Sequence, residues 1–274
     1  MKNILFPTDF SENANHALKY ALRISQDFKA TLHIINAYQL PYNQAVPSTY
    51  KLLDALKESS NKELIEYVNN IKLNPDYKTL KIKHYAIPGN LVNVVTDIEK
   101  EIDIDLIILG TKGVSGLKEV LIGSNAEQIV YHANTSVFVI PENAPSFSFA
   151  KAILAADLKT IKDSSVFSTY LSMCKKYNTE NQIVTIVNSK NQTQDTTKET
   201  LGLDHLFSHI NHQFFTEESD NTLEGINRFV EKNNSSVLVV LSRKYPFIET
   251  IFHKSITDKL TCRSKLPIFV VKEK

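Results

Sequence analysis

Glycine is scarce in this chain, 7 of 274 residues, so the places where it gathers carry information. Cysteine is scarcer still. Cys174 and Cys262 stand alone, with no Cys-x-x-Cys, which excludes a disulfide framework and a zinc ribbon. A reducing cytoplasm is the compartment expected of such a chain. No apolar run approaches the roughly 18–20 residues that a membrane helix needs. Met1-Lys2 leads straight into a short strand pattern, with no signal-peptide core, so neither export nor membrane insertion is expected. Charge of one sign is lacking too. Lys and Arg number 31 against 30 Asp and Glu, a net charge of +1, which argues against nucleic acid or an acidic membrane as partner. What is present, 42% hydrophobic and 22% charged residues, describes an ordinary globular chain, and the length favours about two domains.

Four of the seven glycines, Gly110, Gly113, Gly116 and Gly123, fall in one stretch of fifteen residues, Gly110–Ser124. The apolar run Leu106–Leu109 precedes it. Ala126, Ile129, Val130 and Ala133 follow it at helical spacing. The order is therefore buried strand, glycine-rich loop, helix. Glycine permits positive φ and close approach of a ligand to the main chain. A helix N-terminus offers N–H groups and partial positive charge to phosphate. Ser124 is placed to cap that helix or to bond a phosphate oxygen. Neither Gly-x-Gly-x-x-Gly nor a Walker loop is present.

The first half alternates strands and helices. Asn3–Phe6, Thr31–Ala37, Lys81–Ile87, Leu106–Leu109 and Ser136–Ile140 read as strands. Ala14, Ala17, Leu18, Ala21 and Leu22 line one helix behind Ser11. Leu53, Leu56, Leu64, Val68 and Ile71 line a second, and Leu91, Val94, Val95 and Ile98 a third. Such alternation implies βαβ units and a parallel sheet with right-handed crossovers. Ligands of such sheets sit beyond the carboxyl ends of the strands, at the topological switch point. Asp9, Ala37 and Gly110 each follow a strand at that end, so three segments converge on one crevice.

The spacing Gly110-x2-Gly113-x9-Gly123-Ser124 resembles the nucleotide signature of the universal stress protein family, and Ile4-Leu-Phe-Pro-Thr-Asp-Phe-Ser11 resembles its opening strand and aspartate turn. The likeness is strong over Met1–Pro141 and weak beyond. It implies an α/β fold of two tandem, doubly wound, five-stranded parallel sheets with strand order 3-2-1-4-5, in the adenine nucleotide alpha hydrolase-like class. It also implies ATP as ligand, with Mg²⁺ on the phosphates. Carried onto this sequence residue by residue, the implied site is Pro7, Thr8, Asp9, Ala37, Leu109, Gly110, Lys112, Gly113, Gly123, Ser124 and Asn125. Asp9 would bond nucleotide hydroxyls or adenine, or help hold Mg²⁺; the alternative is that it caps the first helix. Ala37 would meet adenine through its main chain. Lys112 would reach a phosphate as a point charge, or be solvated.

Pro141–Ser148 reads as a linker, giving domains over 1–143 and 150–274. The pattern then restarts: Ala152–Asp157 resembles Asn3–Asp9 with one residue deleted. Shifting Leu106–Ile140 by 131 positions lays it on Val237–Val271 without a gap. A period this long means domain duplication, and two such halves would pair as a pseudo-dimer within the chain, with a homodimer as a further expectation. The glycines do not survive the shift. Gly110 meets Leu241, Gly113 meets Lys244 and Gly123 meets Lys254, while Ser124 keeps a serine in Ser255. The second half is thus expected to be a degenerate copy. His205, His209 and His212 could share a helical face and hold a metal, but His212 falls where a strand should begin, so a surface role is the default.

Three functions follow in order. The first is an ATP-binding stress protein with a regulatory or protective role and at most slow hydrolysis, since no arginine finger or base can be named. The second is an adenylating enzyme of the same nucleotide-binding class, although Ser-Gly-Gly-x-Asp-Ser and His-Ile-Gly-His are absent. The third is an interaction scaffold without nucleotide.

Overall fold

The computed structural model describes residues 1–40, 49–111, 123–156, 164–187, 204–242 and 265–272. The chain divides into two units, Met1–Val137 and Phe138–Lys274.

In the first half, β1 (Asn3–Pro7) is an apolar pentapeptide whose Ile4, Leu5 and Phe6 are fully buried. It pairs in parallel with β2 (Thr31–Tyr38) on one side and β4 (Leu106–Gly110) on the other. β3 (Ile82–Pro88) pairs with β2, and β5 (Val137–Ile140) completes the order β3-β2-β1-β4-β5. The central strands read as unbroken apolar runs because helices cover both faces of a parallel sheet. The edge strand β3 alternates polar and apolar residues and is only partly buried. The helices are α1 (Glu12–Phe28), α2 (Thr49–Leu73), α3 (Leu91–Glu101) and α4 (Ser124–His132). Ser11 caps α1 through its hydroxyl, and Lys29 ends it in the left-handed region at φ 54°. Asn90 caps α3.

The second half repeats this plan with β6 (Lys151–Ala155), α5 (Ser168–Tyr177), β7 (Glu180–Val187), β8 (His212–Glu218), α6 (Thr222–Asn233), β9 (Val237–Ser242) and β10 (Ile268–Lys272). Its order, β8-β7-β6-β9-β10, is again 3-2-1-4-5, and its paired strands are parallel. The shift of 131 that aligns the sequences also aligns the strands: β4 and β9 begin at Leu106 and Val237, β5 and β10 at Val137 and Ile268. It aligns details as well. Asn221 caps α6 as Asn90 caps α3. Asp105 accepts the N–H of Asn3 at 2.9 Å, and Ser236, in the corresponding place, accepts that of Lys151 at 3.1 Å. Thr8 donates its N–H to the Ile35 carbonyl (2.8 Å), as Ala156 does to that of Val184 (3.2 Å).

The halves part company between their second and third strands. Forty-three residues join β2 to β3, but only 24 join β7 to β8. The second connection has no room for a 25-residue helix such as α2. They also exchange a small residue across one contact. In the first half Gly89, at φ 136°, lies under Val94; in the second the corresponding pair is Asp220 and Gly225.

Gly225 sits inside α6, where alanine would ordinarily gain about 1 kcal/mol in helix propensity. A Cβ there would stand 2.9 Å from Ser219 Cβ and 3.0 Å from Ile186 Cγ2, closer than real contacts allow. Gly225→Ala should therefore destabilise the second unit by about 1–2 kcal/mol, read as an earlier urea transition, against the propensity gain. An unchanged or later midpoint would show that α6 has room to shift.

Candidate functional site

The site begins at the carboxyl end of β1. Pro7 stands level with Ile35 and Leu5 with Ile107, so continuing the register brings Asp9 level with Ala37 and Leu109 level with Pro7. Pro7, Thr8 and Leu109 are buried, whereas Asp9, Ala37 and Gly110 are half-exposed at the strand ends. The turn after β1 is held from several sides. Asn36 Nδ2 donates to the Thr8 carbonyl at 2.8 Å and its Oδ1 accepts from Ser60 Oγ at 2.7 Å. Asp9 Oδ1 accepts the N–H of Ser11 at 3.1 Å. Asp9 therefore shapes the turn before α1, and the cap itself is Ser11, whose Oγ accepts from the Ala14 N–H at 3.2 Å.

Between them Phe10 takes φ 62°, a left-handed conformation rare for an aromatic residue. Its N–H donates to Thr8 Oγ1 at 3.0 Å, its carbonyl accepts from Asn15 Nδ2 at 3.2 Å, and its ring meets Tyr67 edge-on at 5.3 Å. Tyr67 comes from α2 and donates its hydroxyl to Asn15 Oδ1. Burial pushes its phenol up to about 12; the Asp9 carboxylate pushes the same way and a hydrogen bond with Thr8 opposes it. Sequence reading sees only the apolar stripe of α2 and misses Ser60 and Tyr67. Their role depends on where a 25-residue helix comes to rest against the strand ends.

The second segment runs from β4 into α4. Gly110 is the last residue of β4, and Thr111 behind it is buried. A Cβ on Gly110 would lie 2.8 Å from Asn13 Oδ1 and 3.1 Å from the Asn13 carbonyl. The close approach that requires glycine here is thus that of α1. Among the described glycines only Gly89 has positive φ, so neither Gly110 nor Gly123 uses the left-handed freedom expected of the loop. Gly123 donates its N–H to the Thr111 carbonyl and is the N-cap of α4, with no side-chain cap. Ser124 and Asn125 occupy the first turn, so the cap expected of Ser124 falls one residue earlier. Lys112 and Gly113, and in the second half Asp157, Lys244, Lys254 and Ser255, lie outside the described residues.

Ser124 and Asn125 also line a groove of about 410 Å³ between α3 and α4, with Asn90, Asn93, Thr96 and His132 among its other walls. Among the described residues no three His, Cys, Asp or Glu side chains gather for a metal. His212 opens β8 and pairs with Asp204 at 3.0 Å, so the face imagined for the three histidines is broken as its strand position implies.

A profile of the universal stress protein family matches residues 1–141. The chain belongs to that family. Two universal stress proteins of Methanocaldococcus jannaschii are similar to it: one is 27% identical over 141 residues, covering 51% of this chain and 81% of the other, and the second is 29% identical over 153 residues, covering 51% and 94%. The crystal structure of a universal stress protein from Archaeoglobus fulgidus superposes over both halves with a TM-score of 0.75, covering 99% of this chain and 98% of that one at 20% identity, a likeness of fold. Among the described residues no helix is long and apolar enough to cross a membrane.

Tyr67 and Tyr20, both in the first unit and both pushed by burial to about 12, make a pH prediction. An unfolded tyrosine releases its proton near pH 10, whereas these hold theirs until about 12. Their contribution is therefore complete below pH 10 and lost as pH rises toward 12. Urea melts of Tyr67→Phe across this range should show a shallower loss than the parent chain. Parallel curves would show that Tyr67 ionises as freely folded as unfolded.

Proposed function

We propose that the first half binds an adenine nucleotide, ATP, in the crevice at the carboxyl ends of β1, β2 and β4, as a regulatory or protective universal stress protein of the cytoplasm. The observation that carries this reading is the setting of α4. Its cap position is a glycine with no side-chain bond, and it opens beside the ends of β1 and β4. The amides of such a helix start suit phosphate. The motif supplies the rest: Gly110, Lys112, Gly113, Gly123, Ser124 and Asn125 for ribose and phosphates, the Ala37 main chain and Pro7, Thr8 and Leu109 as walls, and Asp9 for a nucleotide hydroxyl. Half-exposure of Asp9 and Ala37 leaves both reachable. Mg²⁺ would be held mainly by the phosphates and would neutralise their charge, with Asp9 as its protein ligand in the alternative to bonding the nucleotide hydroxyl.

The second half reads as a degenerate domain of the same family. Leu241 stands in β9 where β4 has Gly110, and the β7–β8 connection is 24 residues long against the 43 that carry α2. Its contribution is structural or regulatory. Hydrolysis, where it occurs, is slow, for no positioned base or arginine stands among these residues.

Native mass spectrometry of freshly purified protein should show one adenine nucleotide per chain, and titration of stripped protein should saturate at one. Gly113→Lys, which copies the second half's Lys244, should abolish binding with no loss of fold by circular dichroism. Two nucleotides per chain, or unchanged affinity in Gly113→Lys, would overturn the assignment. No nucleotide at any concentration would leave the interaction scaffold as the better reading.

A further inference from the structure

We infer that Asn13 is a positioning residue for the nucleotide site, acting through Thr111 as a buried latch between α1 and the start of the glycine-rich segment; this rests on the nucleotide reading above. Asn13 is 6% exposed and Thr111 3%, and Asn13 Nδ2 donates to Thr111 Oγ1 at 3.2 Å across 98 residues of sequence. The Thr111 carbonyl, in turn, accepts the N–H of Gly123, the cap residue of α4. One side chain of α1 thus fixes the residue on which the helix start hangs. Gly110 completes the latch. A Cβ there would stand 2.8 Å from Asn13 Oδ1, so a side chain at 110 would drive the carboxamide away from Thr111.

The latch differs from the binding residues in kind, since Asn13 need touch no ligand. Its effect is to hold Gly123, Ser124 and Asn125 at a set distance from the end of β4, so that their amides are in place before a phosphate arrives. Preorganised donors bind anions better than donors that must first be ordered. In the second half Leu241 stands at the place of Gly110.

The test uses the full chain, stripped of nucleotide, with two readouts: affinity for a fluorescent ATP analogue, and amide hydrogen exchange of the ligand-free protein. Thr111→Val keeps the shape and loses the hydroxyl; it should weaken binding about tenfold, the worth of one buried hydrogen bond. It should also speed exchange of the Gly123 amide while leaving that of the Thr8 amide, which donates to Ile35, unchanged. Asn13→Leu should do the same, and the double variant should lose less than the sum of the two single ones, since both break the same bond. Thr111→Ser keeps the hydroxyl and should retain parental affinity and exchange. Additive losses, equal weakening in Thr111→Ser, or unchanged Gly123 exchange in Thr111→Val would overturn the latch. A parent chain that binds no ATP analogue overturns the nucleotide reading instead, and the exchange data still decide whether the latch holds α4.

Discussion

β1 is hydrogen-bonded on both sides in parallel register, and the first half is arranged around that constraint. The strand is five residues long and buried, so it cannot slide without exposing Ile4 or Phe6. Asp105 fixes its beginning by accepting the N–H of Asn3, and the N–H of Thr8 extends the ladder at its end. With β1 immobile, Asp9, Ala37 and Gly110 have little choice but to emerge along one edge. The left-handed Phe10 is tolerable for the same reason. A strand pinned at both ends and a helix capped by Ser11 leave the residue between them few alternatives, and Tyr67 and Asn15 hold the outcome.

Two copies of one plan show which interactions the fold itself demands. The carbonyl after the first strand receives a side-chain donor in both halves, an amide from Asn36 in one and a hydroxyl from Thr185 in the other. The amide at the strand start finds an acceptor in both, Asp105 or Ser236, and α3 and α6 both start on an asparagine. The first two positions change residue type yet keep their chemistry, and the third keeps both, so they belong to the architecture. Gly110 against Asn13 is different: Leu241 stands at its place in β9.

Much of this was legible in the sequence. Alternating strands and helices announced the parallel sheets, the 131-residue shift located β9 and β10, and Asp9 and Gly110 fall at the carboxyl ends of β1 and β4 as the pattern implied. What was hidden depends on contacts between residues far apart in sequence. Gly110 read as a glycine for positive φ and ligand approach because the side chain that needs its missing Cβ, Asn13, lies nearly a hundred residues away. Ser124 looked like a cap because serine favours caps, but the helix starts one residue earlier through the bond from Gly123 to Thr111. The shortened link between β7 and β8 escaped because the alignment that exposed the repeat began beyond it.

That shortened link has a consequence for how the chain folds. Bringing β3 beside β2 closes a loop of 43 residues, whereas bringing β8 beside β7 closes one of 24. The longer closure costs about 0.5 kcal/mol more chain entropy, a modest handicap by itself. The first half must also seat a 25-residue helix within that connection, whereas the second has fewer residues to place between its strands. A nascent chain therefore presents its slower half first, and the sheet that emerges later from the ribosome has the shorter route to its native pairing.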